Sequence, residues 1–404
     1  MGDSLERLNL QARSQIRAPR SKTRRTRFVT RRHTVSKDKV NPTAAFGLAL
    51  LKQEIAAKPG ENVLISPLSV SVALGMTANG ARGTTLKGMT STLGIESNLG
   101  NTNKGYAALL ELLKRSGIGV TLDVANGIFA QFGVTFKPQF LNANKRYFNA
   151  KVEDLDFSDP ETLNIINGFV SDGTNKKIDK MLESIDPDAV MFIINCVYFK
   201  GEWTAKFDKS LTKDLPFAGV GDIPLMYRND PTVHARNWSG GYQMVSLPFG
   251  DSKAVRMIAV LPDEGKTIDD VLAALKADSL TNFAKQNEGS DGQLWLPRIE
   301  VSYENSLKAS LIALGMEEAF DGADFSGMAD ADEISLKLGD VKHKTGFKVD
   351  EDGAEGFAAT VVEVVTESVS MPFEMKVDKP FLKFVIDSES DAVLFAGLIV
   401  DPTK

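Results

Sequence analysis

Residues 351–372 narrow the choice of fold more than any other stretch, because they have the pattern of a β-strand with only one face suited to a protein core. Read with a strand's period of two, one phase carries no charge and runs from small to β-branched residues: Ala354, Gly356, Ala358, Thr360, Val362, Val364 and Thr366. Between residues 353 and 366 the other phase contains two glutamates, Glu355 and Glu363. Because its first half is rich in Gly and Ala, the segment is a weak strand former. The pattern indicates either an ordinary edge strand or loop, or a segment with two alternative positions.

The rest of the composition is that of an ordinary soluble protein. A chain of 404 residues can bury a large core, as one domain or two. Its only cysteine, Cys196, excludes an intramolecular disulfide and a cysteine metal cluster. The longest apolar run, Val190 to Phe199, is too short to cross a bilayer and contains Asn195, so no membrane span is predicted.

Charge divides the chain at about residue 40. Residues 1–40 hold twelve Lys/Arg against three Asp/Glu, a net charge of +9, which leaves −15 for residues 41–404. So basic and apolar-poor a segment is predicted to be a disordered tail, and it lacks the apolar core of a secretory signal. No function is assigned to this tail. A processed pro-segment or a misplaced start codon would account for its basic sequence as well as binding to nucleic acid or anionic lipid would. No nucleic-acid binding is predicted for the folded part.

Helical patterns fill the first part of residues 41–404 and strand patterns the remainder, which favours one α+β domain with mixed sheets. A helix opens near Pro42, and Val190 to Lys200 is predicted to be a central strand. Four further elements are predicted from the sequence: a helix over Ile165–Leu182, a strand over Leu294–Tyr303, and two buried closing strands, Phe381–Asp387 and Ala392–Val400.

Enzyme chemistry finds little support in the residues. The chain has three histidines, His33, His234 and His343, that could act as the base of a catalytic nucleophile or as metal ligands, and no two of them have metal-ligand spacing. No Gly-x-Ser-x-Gly elbow exists, and Gly265-Lys-Thr267 lacks the leading glycine of a phosphate loop. The chain is therefore predicted not to be an enzyme and to need no cofactor or metal.

A series of motifs identifies the chain by resemblance as a serpin of the inhibitory, bacterial-like type. The motifs follow serpin order over nearly all of residues 41–404 and include Asn62-Val-Leu-Ile-Ser-Pro-Leu-Ser69, Gly80-Ala-Arg-Gly-Thr84, Asn195-Cys-Val-Tyr-Phe-Lys-Gly-Glu-Trp203, Leu296-Pro-Arg298, His343-Lys344 and Lys379-Pro-Phe381. The resemblance implies the serpin fold, with three mixed or antiparallel sheets, eight to nine helices and an exposed reactive-centre loop at about residues 351–372.

The implied activity is suicide inhibition of a serine, or a cysteine, endopeptidase. In this family the protease cuts the loop, which then inserts into sheet A of a metastable native state. The hinge that must enter first matches Glu351, Gly353, Ala354, Glu355, Gly356, Phe357, Ala358, Ala359 and Thr360. It departs from the usual pattern at Ala354, Gly356 and the bulky Phe357. The alternative is a serpin fold that does not inhibit and acts as a binding or chaperone-like protein.

Two groups of site residues follow from the resemblance. The shutter, a polar cluster beneath sheet A, matches Ser66, Ser69, Asn195 and His343, although a lone buried histidine is also a common core residue. The breach, where the sheet first opens, matches Trp203 and Glu351. Plain core packing is the other explanation for Trp203.

The resemblance also implies a reactive bond, because in inhibitory serpins the residue before it usually lies sixteen places after the acidic residue that opens the hinge. Counted from Glu351 this gives Glu367–Ser368, whereas counting back from the family motif Lys379-Pro380 favours Val369–Ser370. No Lys or Arg lies between Asp350 and Lys376, so an elastase-like or Glu-preferring protease is expected in the covalent complex rather than a trypsin-like one. The inhibitor is expected to be a monomer. Its compartment stays open: the resemblance favours an extracellular location, and the absence of a visible signal leaves a cytoplasmic one possible.

Overall fold

Helices predominate in the described residues up to 114, and strands predominate in those that follow. The computed structural model describes residues 43–114, 118–229, 234–238, 240–286, 292–330, 336–354 and 373–404, all within one unit, Val40–Lys404. The predicted tail therefore lies outside the described residues. The first eight helices are α1 (Thr43–Ala57), α2 (Pro67–Ala78), α3 (Gly83–Leu93), α4 (Leu99–Leu113), α5 (Pro138–Phe148), α6 (Pro160–Gly173), α7 (Ile268–Ala274) and α8 (Ala277–Ala284). The ninth is a kinked stretch of α9 (Lys308–Leu311), a π-helical turn (Ile312–Met316) and α10 (Glu317–Phe320), which bends at Gly315, where φ is 106°.

The largest sheet is antiparallel and has six strands in the order β1-β16-β15-β9-β8-β7. These strands are β1 (Val63–Ile65), β7 (His234–Trp238), β8 (Tyr242–Pro248), β9 (Val255–Pro262), β15 (Phe381–Asp387) and β16 (Ala392–Ile399). Every residue of β9, β15 and β16 is buried, which explains their nearly continuous apolar sequence. The two predicted closing strands are confirmed.

A second sheet has four strands in the order β14-β10-β6-β5. They are β5 (Lys213–Phe217), β6 (Gly221–Asn229), β10 (Gly292–Pro297) and β14 (Phe373–Lys376). The single strand predicted over Leu294–Tyr303 is wrong, because the chain leaves this sheet after Pro297 and forms β11 (Ile299–Ser306) elsewhere. Proline cannot donate to a ladder, and the Arg298 side chain between the two strands is engaged by Glu351.

The third sheet is split into two halves, and we call it the divided sheet. One half has the order β13-β4-β2-β3, and the other consists of β11 paired antiparallel with β12. Its remaining strands are β2 (Val120–Gln131), β3 (Lys151–Leu155), β4 (Met191–Glu202), β12 (Lys342–Val349) and β13 (Gly353–Ala354). The predicted central strand at Val190–Lys200 corresponds to β4.

Helix α6 packs on the outer face of the divided sheet, against β2 and β4. The prediction of a helix over Ile165–Leu182 is wrong at its end, since α6 stops at Gly173. Asn175 and Lys176 have left-handed backbone angles, φ 50° and 62°, which an α-helix cannot continue through. The side chain of Asn167 instead accepts hydrogen bonds from the N–H groups of Met181 and Leu182, so the apolar residues beyond the helix pack as a loop.

With the divided sheet counted once, the described residues form three main sheets and nine helices, besides a single 3-10 turn at Lys209–Leu211, as the resemblance implied. None of the described helices combines the length and hydropathy that a membrane crossing requires.

Candidate functional site

A cavity of about 1600 Å³ separates the two halves of the divided sheet. Residues of β4 and of β12 line it from opposite sides. Among the described strands, β12 pairs only with β11, and β4 pairs with β2 and, at its end, with β13. Two strand edges therefore face each other across the cavity, and such edges can accept a further strand.

Strand β13 occupies one end of this gap. Gly353 pairs with Glu202 and Ala354 with Gly201, antiparallel to β4. A bridge between Asp350 and Gly353 reverses the chain directly after β12. Continued in the same direction, the residues after Ala354 would run antiparallel between β4 and β12.

The backbone at this position admits only glycine. A Cβ on Gly353 would lie 2.2 Å from the carbonyl oxygen of Gly201, and its φ of 154° is one that side chains rarely adopt. Ala354 is 1% exposed and lines the cavity, as expected for the uncharged phase of the segment.

Trp203 holds the turn that leads into β13. Its Nε1–H donates to the carbonyl oxygen of Asp350 at 2.8 Å, and its backbone N–H donates to that of Asp352 at 3.1 Å. The indole stacks on Phe249 with ring centroids 4.4 Å apart. Trp203 thus packs in the core and also bonds the turn, and its role in the breach stays a prediction.

Glu351 lies in the same turn with its carboxylate buried, 1% exposed for the residue as a whole. Arg298 donates from Nη2 at 2.6 Å and from Nε at 2.9 Å, and the Thr212 hydroxyl donates at 2.6 Å. Burial alone raises the pKa of Glu351, but the hydrogen bonds from Arg298 and Thr212 outweigh it and hold the pKa below its ordinary value. The breach residues named from the sequence thus meet at the end of the gap where β13 begins.

The predicted shutter residues also lie together. The backbone N–H of Ser66 donates to Nε2 of His343 at 3.0 Å, and the Ser66 hydroxyl donates to the carbonyl oxygen of Leu394 at 2.7 Å. Since Nε2 accepts, the imidazole is neutral. Complete burial lowers the pKa of His343 to about 4.

Asn195 connects this cluster to β2. Its backbone carbonyl accepts from the Ser69 hydroxyl at 3.2 Å, and its Nδ2 donates to Oδ1 of Asn126 at 2.7 Å. Asn126 in turn donates to the carbonyl oxygen of Phe148 at 2.7 Å. The Oδ1 atom of Asn195 is buried and has no hydrogen-bond partner among the described residues, although the residue lines the cavity. One acceptor at the floor of the gap is therefore unsatisfied.

Sequence reasoning missed several members of the site. Asn126 was not singled out, although an amide inside an otherwise apolar strand signals a buried polar partner. Arg298 was recognised only as part of a motif, and its bond with Glu351 required the chain reversal at β13. Lys206 and Lys209 form ion pairs with Asp352 of the same turn, and their charges carried no signal because surface lysines and aspartates are common.

Other predicted residues lie outside what the structure describes. These are the later hinge residues Glu355, Gly356, Phe357, Ala358, Ala359 and Thr360, and both candidate bonds, Glu367–Ser368 and Val369–Ser370. In the described part of the chain, no three His, Cys, Asp or Glu side chains cluster as metal ligands would.

Comparison with known proteins agrees with this architecture. Residues 41–402 match the family described as Serpin (serine protease inhibitor). Alpha-1-antiproteinase of Rattus norvegicus is 29% identical over 373 residues, which cover 89% of this chain and 88% of that protein. The native state of the thermophilic serpin tengpin is 29% identical with a TM-score of 0.80, covering 91% of this chain and 95% of tengpin.

Human thyroxine-binding globulin, solved with its hormone, shares the fold with a TM-score of 0.80 at 24% identity, covering 90% of this chain and 98% of that one. Because the family match extends over residues 41–402, almost the whole described unit, it assigns the chain to a family and does more than identify the fold. The chain belongs to the serpin family.

Proposed function

We propose that the chain is an inhibitory serpin that traps a serine endopeptidase by inserting its cleaved loop into the gap of the divided sheet. The observation that carries the proposal is β13, whose pairing with β4 already begins a strand between β4 and β12. The family's description as serine protease inhibitors and the alpha-1-antiproteinase relative support inhibition in general.

The covalent step follows from ordinary serine protease chemistry. The protease serine oxygen attacks the carbonyl carbon of the residue before the reactive bond, the C–N bond breaks, and the new amine leaves with the proton. The acyl-enzyme ester ties the protease to the loop. Entry of the loop into the gap then moves the bound protease along the sheet before water can hydrolyse the ester.

The driving force is conversion of exposed chain into a paired strand. Each backbone hydrogen bond gained contributes about 0.5–1.5 kcal/mol net, and buried apolar surface adds about 25 cal/mol per Å². The two facing edges and the unsatisfied Asn195 Oδ1 supply the partners. Over about a dozen residues the gross gain reaches tens of kcal/mol, from which the cost of ordering the loop is subtracted.

Incubation with a panel of proteases tests the proposal. Pancreatic elastase and a Glu-preferring endopeptidase should each be examined for a complex that survives SDS, with trypsin as the disfavoured comparison. We expect a covalent complex of inhibitor and protease with at least one of the first two. Cleavage of the loop by every protease without any such complex would contradict inhibition.

The reactive bond is proposed at Glu367–Ser368. The apolar run before it, Val362–Thr366, suits the extended subsites of elastase-like enzymes. Mass spectrometry of the small carboxyl-terminal fragment released by a trapped protease identifies the bond. A fragment starting at Ser368 supports the assignment, and one starting at Ser370 replaces it with Val369–Ser370.

A non-inhibitory serpin is the second candidate. Thyroxine-binding globulin, solved with thyroxine, is an example of a related fold that binds a small molecule. Against this candidate, the uncharged phase of the hinge contains no charged, bulky or proline residue from Ala354 to Thr366. A cleaved loop that never enters the sheet would favour it.

A further inference from the structure

A chain of alternating charges lies beside the start of β13. Lys209 Nζ lies 2.6 Å from Oδ2 of Asp352, and Lys206 Nζ lies 3.4 Å from its Oδ1. Lys206 Nζ also lies 3.7 Å from Oε2 of Glu202. We call Lys206, Lys209 and Asp352 the clasp.

The positions of these residues give the clasp a specific mechanical role. Asp352 belongs to the turn between β12 and β13, and Glu202 is the β4 residue that pairs with Gly353. Lys206, which follows β4 by four residues, therefore contacts Glu202 of this strand pair and Asp352, the residue directly before its other member, Gly353. Its side chain is 21% exposed and that of Asp352 31%, so this part of the clasp is partly shielded from solvent.

The clasp differs from the Arg298–Glu351 bond in direction and in origin. Glu351 points into the core, and Arg298 comes from the junction of β10 and β11. Asp352 points outward to lysines on the segment that continues β4. Two neighbouring carboxylates thus hold the turn, and the clasp adds side-chain ion pairs to the backbone pairing and the Trp203 hydrogen bonds that connect it to β4.

We propose that Lys206 and Lys209 act as positioning residues that hold Asp352, and with it β13, on β4, so that the cleaved loop enters the gap ahead of ester hydrolysis. The inference rests on the proposed function. A strand that extends from an existing pair skips the slowest step of strand addition, which is formation of the first pair. Loss of the clasp should lengthen the delay before insertion and release more protease.

Hydrogen exchange reports on the clasp without any protease. The backbone N–H groups of Trp203 and Phe207 donate to the carbonyl oxygens of Asp352 and Glu351. In the variants Lys206→Ala/Lys209→Ala and Asp352→Asn, both amides should exchange at least about threefold faster, as loss of partly exposed ion pairs predicts. The amide of Thr204, which donates to Pro248, is the internal control and should not change.

The second measurement is the stoichiometry of inhibition, the moles of inhibitor consumed per mole of pancreatic elastase trapped. We expect the stoichiometry to rise about threefold in both variants at low salt. In Lys206→Arg/Lys209→Arg, which keeps the charges, it should return to the wild-type value. In 1 M NaCl, which screens ion pairs, the stoichiometry of all variants should equal that of the wild type. Lys213→Ala is the matched control, because Lys213 is an exposed lysine without an ion pair to another described residue. If the clasp residues had a purely structural role, the two variants would have a lower melting midpoint and an unchanged stoichiometry of inhibition.

The outcomes separate the clasp from the proposed function. If the wild type forms no complex with elastase or any other protease, inhibition fails, and amide exchange still decides whether the clasp holds β13. If the wild type inhibits but the two variants match it in exchange or in stoichiometry, the clasp is overturned.

Discussion

Lys383 lies in β15 with its side chain fully buried in the core. Its Nζ is 2.8 Å from the centroid of the Phe347 ring, and it has no hydrogen-bond partner among the described residues. Phe347 belongs to β12, and the ring lines the cavity. A buried ammonium is costly even over an aromatic face, and burial lowers the pKa of Lys383 well below its ordinary value. Lys383 therefore destabilises the native state beside the gap.

Replacing Lys383 by methionine should stabilise the protein by about 1–4 kcal/mol at pH 7. A lysine with a depressed folded pKa binds fewer protons folded than unfolded, so stability rises with pH up to the unfolded pKa of about 10.4. The gain from Lys383→Met should therefore shrink between pH 7 and pH 10. Melting midpoints of both proteins across this range measure it, and a lower midpoint for the variant at pH 7 would contradict the account.

His343 should make the protein sensitive to mild acid. Its folded pKa of about 4 lies below the ordinary value of 6.5, so its contribution is complete above pH 6.5 and is lost as pH falls toward 4. The loss is on the order of 3 kcal/mol. Between pH 7 and pH 4.5 the melting midpoint of the wild type should fall more than that of His343→Gln. Parallel curves for the two proteins would show that the imidazole is not held neutral.

At the scale of elements, the hinge shows what a sequence can predict. The period-two pattern marked Ala354 as inward-facing, and motifs named Trp203 and Glu351, which the structure brings to one turn. Local patterns could not reveal that β4 and β12 lie unpaired across a cavity, because strand pairing depends on contacts far apart in sequence. The end of α6 and the break at Arg298 were missed for the same reason: apolar periodicity continued while partners elsewhere decided the backbone.

The phase of the hinge predicts how two substitutions differ. Gly356 is in the uncharged phase, two residues after the buried Ala354, and lies outside the described residues. Gly356→Ala should leave inhibition intact, whereas Gly356→Arg would place an unpaired guanidinium beneath the sheet at a cost of several kcal/mol. The arginine variant should be cut as a substrate without a covalent complex on SDS gels. Complex formation by Gly356→Arg at the wild-type level would mean that the phase is wrong.

At the scale of the whole molecule, the proposed mechanism requires a native state that is not the most stable arrangement of the chain. The divided sheet has two open edges, a cavity of about 1600 Å³ and a strand already started between them. Under the proposed mechanism, cutting the loop would allow the residues after Ala354 to extend β13 into the gap. The intact loop should therefore keep the native state from rearranging. The unsatisfied Oδ1 of Asn195 and the buried side chain of Lys383 should favour insertion of the loop once it is cut.

The melting midpoint before and after a single cut between Val362 and Val369 tests this claim most directly. Insertion should raise the midpoint by at least about 10 °C, since a domain of this size gains a few degrees or less per kcal/mol. Gly356→Arg, cut in the same way, is the control and should show a much smaller rise. An unchanged midpoint in the cut wild-type protein would contradict insertion of the loop, and with it the proposed mechanism.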